Sequence, residues 1–193
     1  MFENVDSVDK EKTVCRCESC DASIKQGEQR LKEAMQTGNF EIVDKVFKQI
    51  KDDKLDIDVK LNREAEKLHL RLEKELDIRN YIQSVKHNDI YKTIRKSVKT
   101  LTDKQENAEK LGVVLDPMLV HEINQCVARL SSERNLRYQM DNTEVPSCNP
   151  TSVEELEKLI NQAQETAVED EYLDAANKLT TKMKGNIQAR EIL

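Results

Sequence analysis

From about residue 24 to the end of the chain, apolar residues recur at intervals of three and four, the spacing that lays one stripe along a helix. Ile24, Leu31, Ala34 and Met35 share one side of a first predicted helix, and Gly38 is a natural stop for it. Asn39 can cap a second, striped by Ile42, Val43, Val46, Phe47 and Ile50. Asp58 opens a long third helix over about 59–85, with Leu61, Ala65, Leu68, Leu72 and Leu76 on its seam. A break at His87-Asn88 and a cap at Asp89 precede a fourth over about 90–111, which Gly112 ends. Asp116-Pro117 starts a fifth that runs through Ile123, Cys126 and Leu130 to Met140. Ser152 and Glu155 have the spacing of a capping box ahead of Leu156, Leu159 and Ile160. Around Asp170 the pattern either turns or continues into a last helix holding Leu173, Leu179 and Met183. Residues before 23 show no such period.

The helices resemble one another. Moving the sequence by 58 residues sets Asp58 on Asp116, Leu61 on Leu119, Arg71-Leu72 on Arg129-Leu130, Glu75 on Glu133 and Arg79 on Arg137. A further step of 53 sets Leu130 on Met183 and Arg137 on Arg190, while Glu133 meets Asn186. Glu75/Arg79 and Glu133/Arg137 are four apart, which fits an ion pair along one helix worth some tenths of a kcal/mol. It also fits arginines set at the seam between units, forking onto carbonyls or carboxylates. A unit with one apolar stripe cannot bury it alone, so stacked neighbours make the stable object.

Composition narrows the picture. Charged residues are 35%, aromatics 4%, and there are 4 glycines, 3 prolines and no tryptophan. Sheets need turns and β-branched or aromatic strands, whereas long helices need few breakers. The expected fold is all-α: an elongated array of helical hairpins, about three related units and six to seven helices, with coiled-coil-like seams. Residues 1–22 are expected as a flexible arm, 23–140 as two repeat units, 141–151 as a linker around Pro146 and Pro150, and 152–193 as a third unit. The net charge of −6, with both signs interspersed, argues against nucleic acid or an anionic membrane as the partner of the whole chain. No run approaches the roughly 20 apolar residues of a membrane span. Five cysteines without a signal-like start point to a reducing, cytoplasmic setting.

Chemistry is sparse. No phosphate-cradling glycine loop, zinc-protease motif or calcium loop occurs, and neither catalysis nor a cofactor is expected. Cys15, Cys17 and Cys20 form C-x-C-x-x-C, a candidate metal or redox site, although zinc wants a fourth ligand and the histidines are remote. Lys92, Arg95, Lys96 and Lys99 form a local basic face on the fourth helix, a solvated surface or a dock for an acidic protein partner.

Two segments carry a resemblance. Leu31-x-x-Ala34-Met35-x-x-Gly38 with its following helix, and the charged run Arg71 to Arg79 of form R-L-x-x-E-x-x-Φ-R, resemble helical-hairpin segments in scaffold proteins of ciliary axonemes and related microtubule structures. The resemblance spans roughly 24–193; tetratricopeptide and ankyrin periods and signatures are absent. It implies a non-enzymatic scaffold or adaptor in the cytoplasm, cytoskeleton or cilium, binding a helix or filament surface or further copies of itself. The alternative is a metal- or redox-responsive module built on the cysteine trio.

Overall fold

The computed structural model describes residues 18–85 and 91–192. These hold seven α-helices and no strand: α1 Glu18–Thr37, α2 Phe40–Asp52, α3 Val59–Ser84, α4 Tyr91–Lys110, α5 Pro117–Asn142, α6 Pro150–Glu165 and α7 Asp170–Glu191, with a 3-10 turn at Val145–Ser147. The all-α expectation holds. Residues 18–22 of the expected arm are helical and belong to α1, while 1–17 lie outside the described residues, and Asp170 starts a separate helix.

Side chains terminate the helices as their chemistry allows. Asn39 Oδ1 accepts from the amides of Glu41 (2.9 Å) and Ile42 (3.3 Å) at the start of α2. Asp58 caps α3 through the Leu61 amide at 2.9 Å, and Asp116 caps α5 through that of Met118 at 3.0 Å. The Ser152/Glu155 box is not what opens α6. Asn149 caps it, accepting from the Ser152 amide at 2.8 Å, because Pro150 at the first helical position fixes the start one turn earlier.

The three turns that lead into α3, α5 and α7 share one backbone. Each has a left-handed residue after the helix: Lys54 (φ 49°), Gly112 (φ 71°) and Ala167 (φ 55°). Each also closes with the amide of the next residue on a carbonyl five back: Leu55 to Ile50 (3.1 Å), Val113 to Ala108 (3.0 Å) and Val168 to Ala163 (3.0 Å). Lys54 to Gly112 is a step of 58 and Gly112 to Ala167 a step of 55, whereas the capping positions Asp116 and Glu169 are 53 apart. The third turn is thus two residues shorter, which is why the sequence repeat changes its period.

Two compact units are present, 1–69 and 70–193, dividing inside α3. In the first, Leu31, Phe47, Ile50, Ile57, Leu61 and Ala65 are buried together. Gly27 lets α1 approach closely there: a Cβ on it would lie 2.7 Å from Leu55 Cδ1, so the Leu55 side chain would have to shift. His69 Nε2 lies 2.9 Å from Asp44 Oδ1, with the Phe40 and Phe47 rings at 5.2 and 5.6 Å, fastening α3 to α2. Lys48 and then His69 hold the Asp44 carboxyl below its ordinary value by hydrogen bonding.

The second unit has two cores. Ile82, Ile94, Leu101, Leu119, Ile123 and Leu130 belong to one, and Leu136, Leu156, Ile160, Ala176 and Met183 to the other. The 141–151 stretch lies within this unit, and Cys148 is buried in the second core. Asn186 donates to the Val145 carbonyl at 2.6 Å, and Arg190 donates to that of Cys148.

The repeated glutamates are the buried members of their pairs. Glu75 is 5% exposed and accepts the Asp116 amide at 3.0 Å, holding the start of α5. Glu133 is 3% exposed and receives Arg137 at 2.8 Å and Arg129 at 3.5 Å. Glu28 on α1 accepts the Asp58 amide at 2.9 Å, the same service to α3 within the first unit. The Glu133–Arg137 pair does lie along one helix, but Arg79 turns instead to Asp116 at 3.5 Å, and Glu75 pairs with Arg71 at 3.5 Å. Carbonyl recognition by guanidinium falls to Arg129, on Val85 (3.3 Å), and to Arg190.

Candidate protein-interaction surface

The turn between α4 and α5 contains alternate destinies for similar side chains. Val113 and Leu115 are buried, as is Ile57, the counterpart of Leu115; Leu55, the counterpart of Val113, is partly buried. Leu111, Val114 and Met118 instead face solvent, at 57%, 82% and 66% exposure. The backbone does not demand apolar residues there. A step of 58 places Asp53, Asp56 and Lys60 at the same points of the α2–α3 turn. Thr166 and Glu171 stand at the positions of Leu111 and Met118 around the α6–α7 turn. The α2–α3 turn exposes one large apolar side chain, Val59, against three at the α4–α5 turn, and such a cluster marks an interaction site more readily than singly scattered residues do.

The α5 surface continues from this turn. Met118, Glu122, Gln125 and Arg129 follow at helical spacing on one face, about 6 Å of rise for each four residues. Beyond Met118 this face borders a groove of about 590 Å³ between α5, the end of α3 and the last turn of α6. Buried Ile82 and Cys126 give the groove an apolar floor, and exposed Gln83, Gln125, Glu122 and Glu165 give it a polar rim. Arg129 also lines it, but its guanidinium is engaged by Glu133 and the Val85 carbonyl. Glu122 and Glu165 form no ion pair with another described residue. The open charge of the groove is therefore negative.

Other candidates sit elsewhere. Cys15 and Cys17 lie outside the described residues; Cys20 is exposed on α1. No group of three or more metal-ligating side chains is assembled among the described residues. Arg95, Lys96 and Lys99 are exposed along α4, opposite buried Ile94 and Leu101, while the side chain of Lys92 lies outside the described residues. Arg137 stacks on the Tyr172 ring at 4.3 Å, and burial is the main cause that raises the Tyr172 phenol. Among the described residues no helix is long and apolar enough to cross a membrane.

Sequence reading missed the apolar turn and the groove. The signal that could have found the turn was in the repeat itself: Leu111, Val114 and Met118 break the polarity of their counterparts. The groove left no such mark, since its rim comes from three helices far apart in the chain. Comparison with known protein families, with curated proteins and with solved structures gave no match.

Proposed function

We propose that this chain is a non-enzymatic adaptor or structural subunit that binds other proteins through the outer faces of its helices, with the α4–α5 turn at the centre of the contact. One observation carries this reading: Leu111, Val114 and Met118 are exposed at a turn whose copies are polar at the matching positions. Burying a large aliphatic side chain contributes about 1.5–3 kcal/mol, so three anchors offset a good part of the cost of association. The likeness of the Leu31–Gly38 and Arg71–Arg79 segments to axonemal scaffolds suggests a cytoskeletal or ciliary assembly as the setting.

The test compares the immobilised full chain with two triple variants in an extract of the native source. Leu111→Ser/Val114→Ser/Met118→Ser is expected to lose proteins that wild type retains. Asp53→Ser/Asp56→Ser/Lys60→Ser, at the matching turn, is expected to keep them. An identical set retained by all three chains would count against the reading.

A further inference from the structure

Resting on that protein-binding reading, we infer that the groove beside the α4–α5 turn receives a basic, amphipathic segment of a partner protein, whose apolar side chains cover the turn and the groove floor. The surface is continuous: Met118 stands one helical turn before Glu122, and Gln125 follows on the same face of α5. Its apolar part is Met118 with the floor residues Ile82 and Cys126. The groove's volume of about 590 Å³ is room for several side chains, more than a lone anchor fills.

Charge selects the occupant. Among the described residues, three charged side chains line the groove, and the cation of these, Arg129, is held by Glu133 and by a backbone carbonyl. The two left open, Glu122 and Glu165, are carboxylates on exposed positions of α5 and α6. A lysine or arginine placed between them gains attraction from both sides, while an acidic segment meets repulsion from both. Gln83 and Gln125 add amide donors and acceptors on the same rim, suited to a partner's backbone.

The experiment uses three fluorescent twelve-residue peptides, alternating Leu with Lys, Leu with Glu, and Ser with Lys, titrated by anisotropy against the full chain. The Leu/Lys peptide should bind at least about tenfold more tightly than either of the others. Glu122→Gln/Glu165→Gln should weaken it by about tenfold, whereas Glu154→Gln/Glu155→Gln, an equal loss of charge on exposed α6 positions outside the groove, should change it less than about twofold. Equal binding of the Leu/Glu peptide, equal binding of the Ser/Lys peptide, or equal weakening by the two glutamine pairs would each overturn the inference. The wider reading fails separately. If Leu111→Ser/Val114→Ser/Met118→Ser loses its protein partners while Glu122→Gln/Glu165→Gln keeps them, protein binding stands and the basic-segment inference falls.

Discussion

The turn at 110–118 and the turn at 52–60 have the same backbone and the same function in the fold, yet they show solvent different faces. Both end a helix with a left-handed residue and the same pair of closing hydrogen bonds, and both start the next helix with an aspartate cap. Under the turn the chemistry is shared: Ile57 matches Leu115 and Leu61 matches Leu119, all buried. Outside it, Asp53, Asp56 and Lys60 become Leu111, Val114 and Met118. What the two turns share is what folding needs, and what separates them is available for something else. The left-handed residue differs as well, glycine in one and lysine in the other, so the lysine turn carries backbone strain that the glycine turn avoids.

The comparison breaks most forcefully at neighbouring residues of α5. Leu119 is fully buried, and Leu119→Ala should cost about 2–5 kcal/mol in denaturant unfolding, while Met118→Ser beside it should cost less than about 0.5. Equal effects would mean that the exposed face also serves the fold. Next in size is Glu133→Ala, which leaves Arg129 and Arg137 facing an empty site and should cost about 2–3 kcal/mol by the same measurement. A loss near zero would show the carboxylate to be replaceable, unlike a buried support of the repeat.

The strain difference predicts opposite signs. Lys54→Gly should stabilise by about 0.5–1 kcal/mol and Gly112→Ala should destabilise by about 1, read as shifts of the urea midpoint. A smaller effect belongs to the first unit, where Asp44 is held below its ordinary carboxyl value by Lys48 and His69. A depressed carboxylate stabilises above its unfolded value and loses that contribution as pH falls through the folded one. The stability gap between wild type and Asp44→Asn should therefore persist at neutral pH and close as pH drops below the ordinary value of 3.8. A gap that widens on acidification would contradict the pairing.

Helix existence was legible because the stripes were long and the breakers few. Asp58 and Asp116 announce their caps, and the 58-residue repeat aligns them. The start of α6 was misread because Ser152 and Glu155 match a capping box, although Asn149-Pro150 satisfies the first amides sooner. Burial of Glu75 and Glu133 was hidden: a glutamate four residues from an arginine reads as a surface pair, and only the third partner, the Asp116 amide or Arg129, makes burial tolerable. Val113 and Val114 are the same residue side by side, and the turn alone decides which is covered. The groove escaped for a similar reason, since Ile82, Glu122 and Glu165 meet only after the helices pack.

The central claim is that the exposed face of the α4–α5 turn is a protein contact, and a photocrosslinker placed at two equivalent points tests it most directly. p-Benzoylphenylalanine at 114 and, separately, at 56 occupies solvent-facing positions of matched turns in the full chain. Irradiation in cells of the native source should give a discrete crosslinked species from position 114 and none of comparable yield from position 56. Equal yields from both positions, or none from 114, would contradict the account.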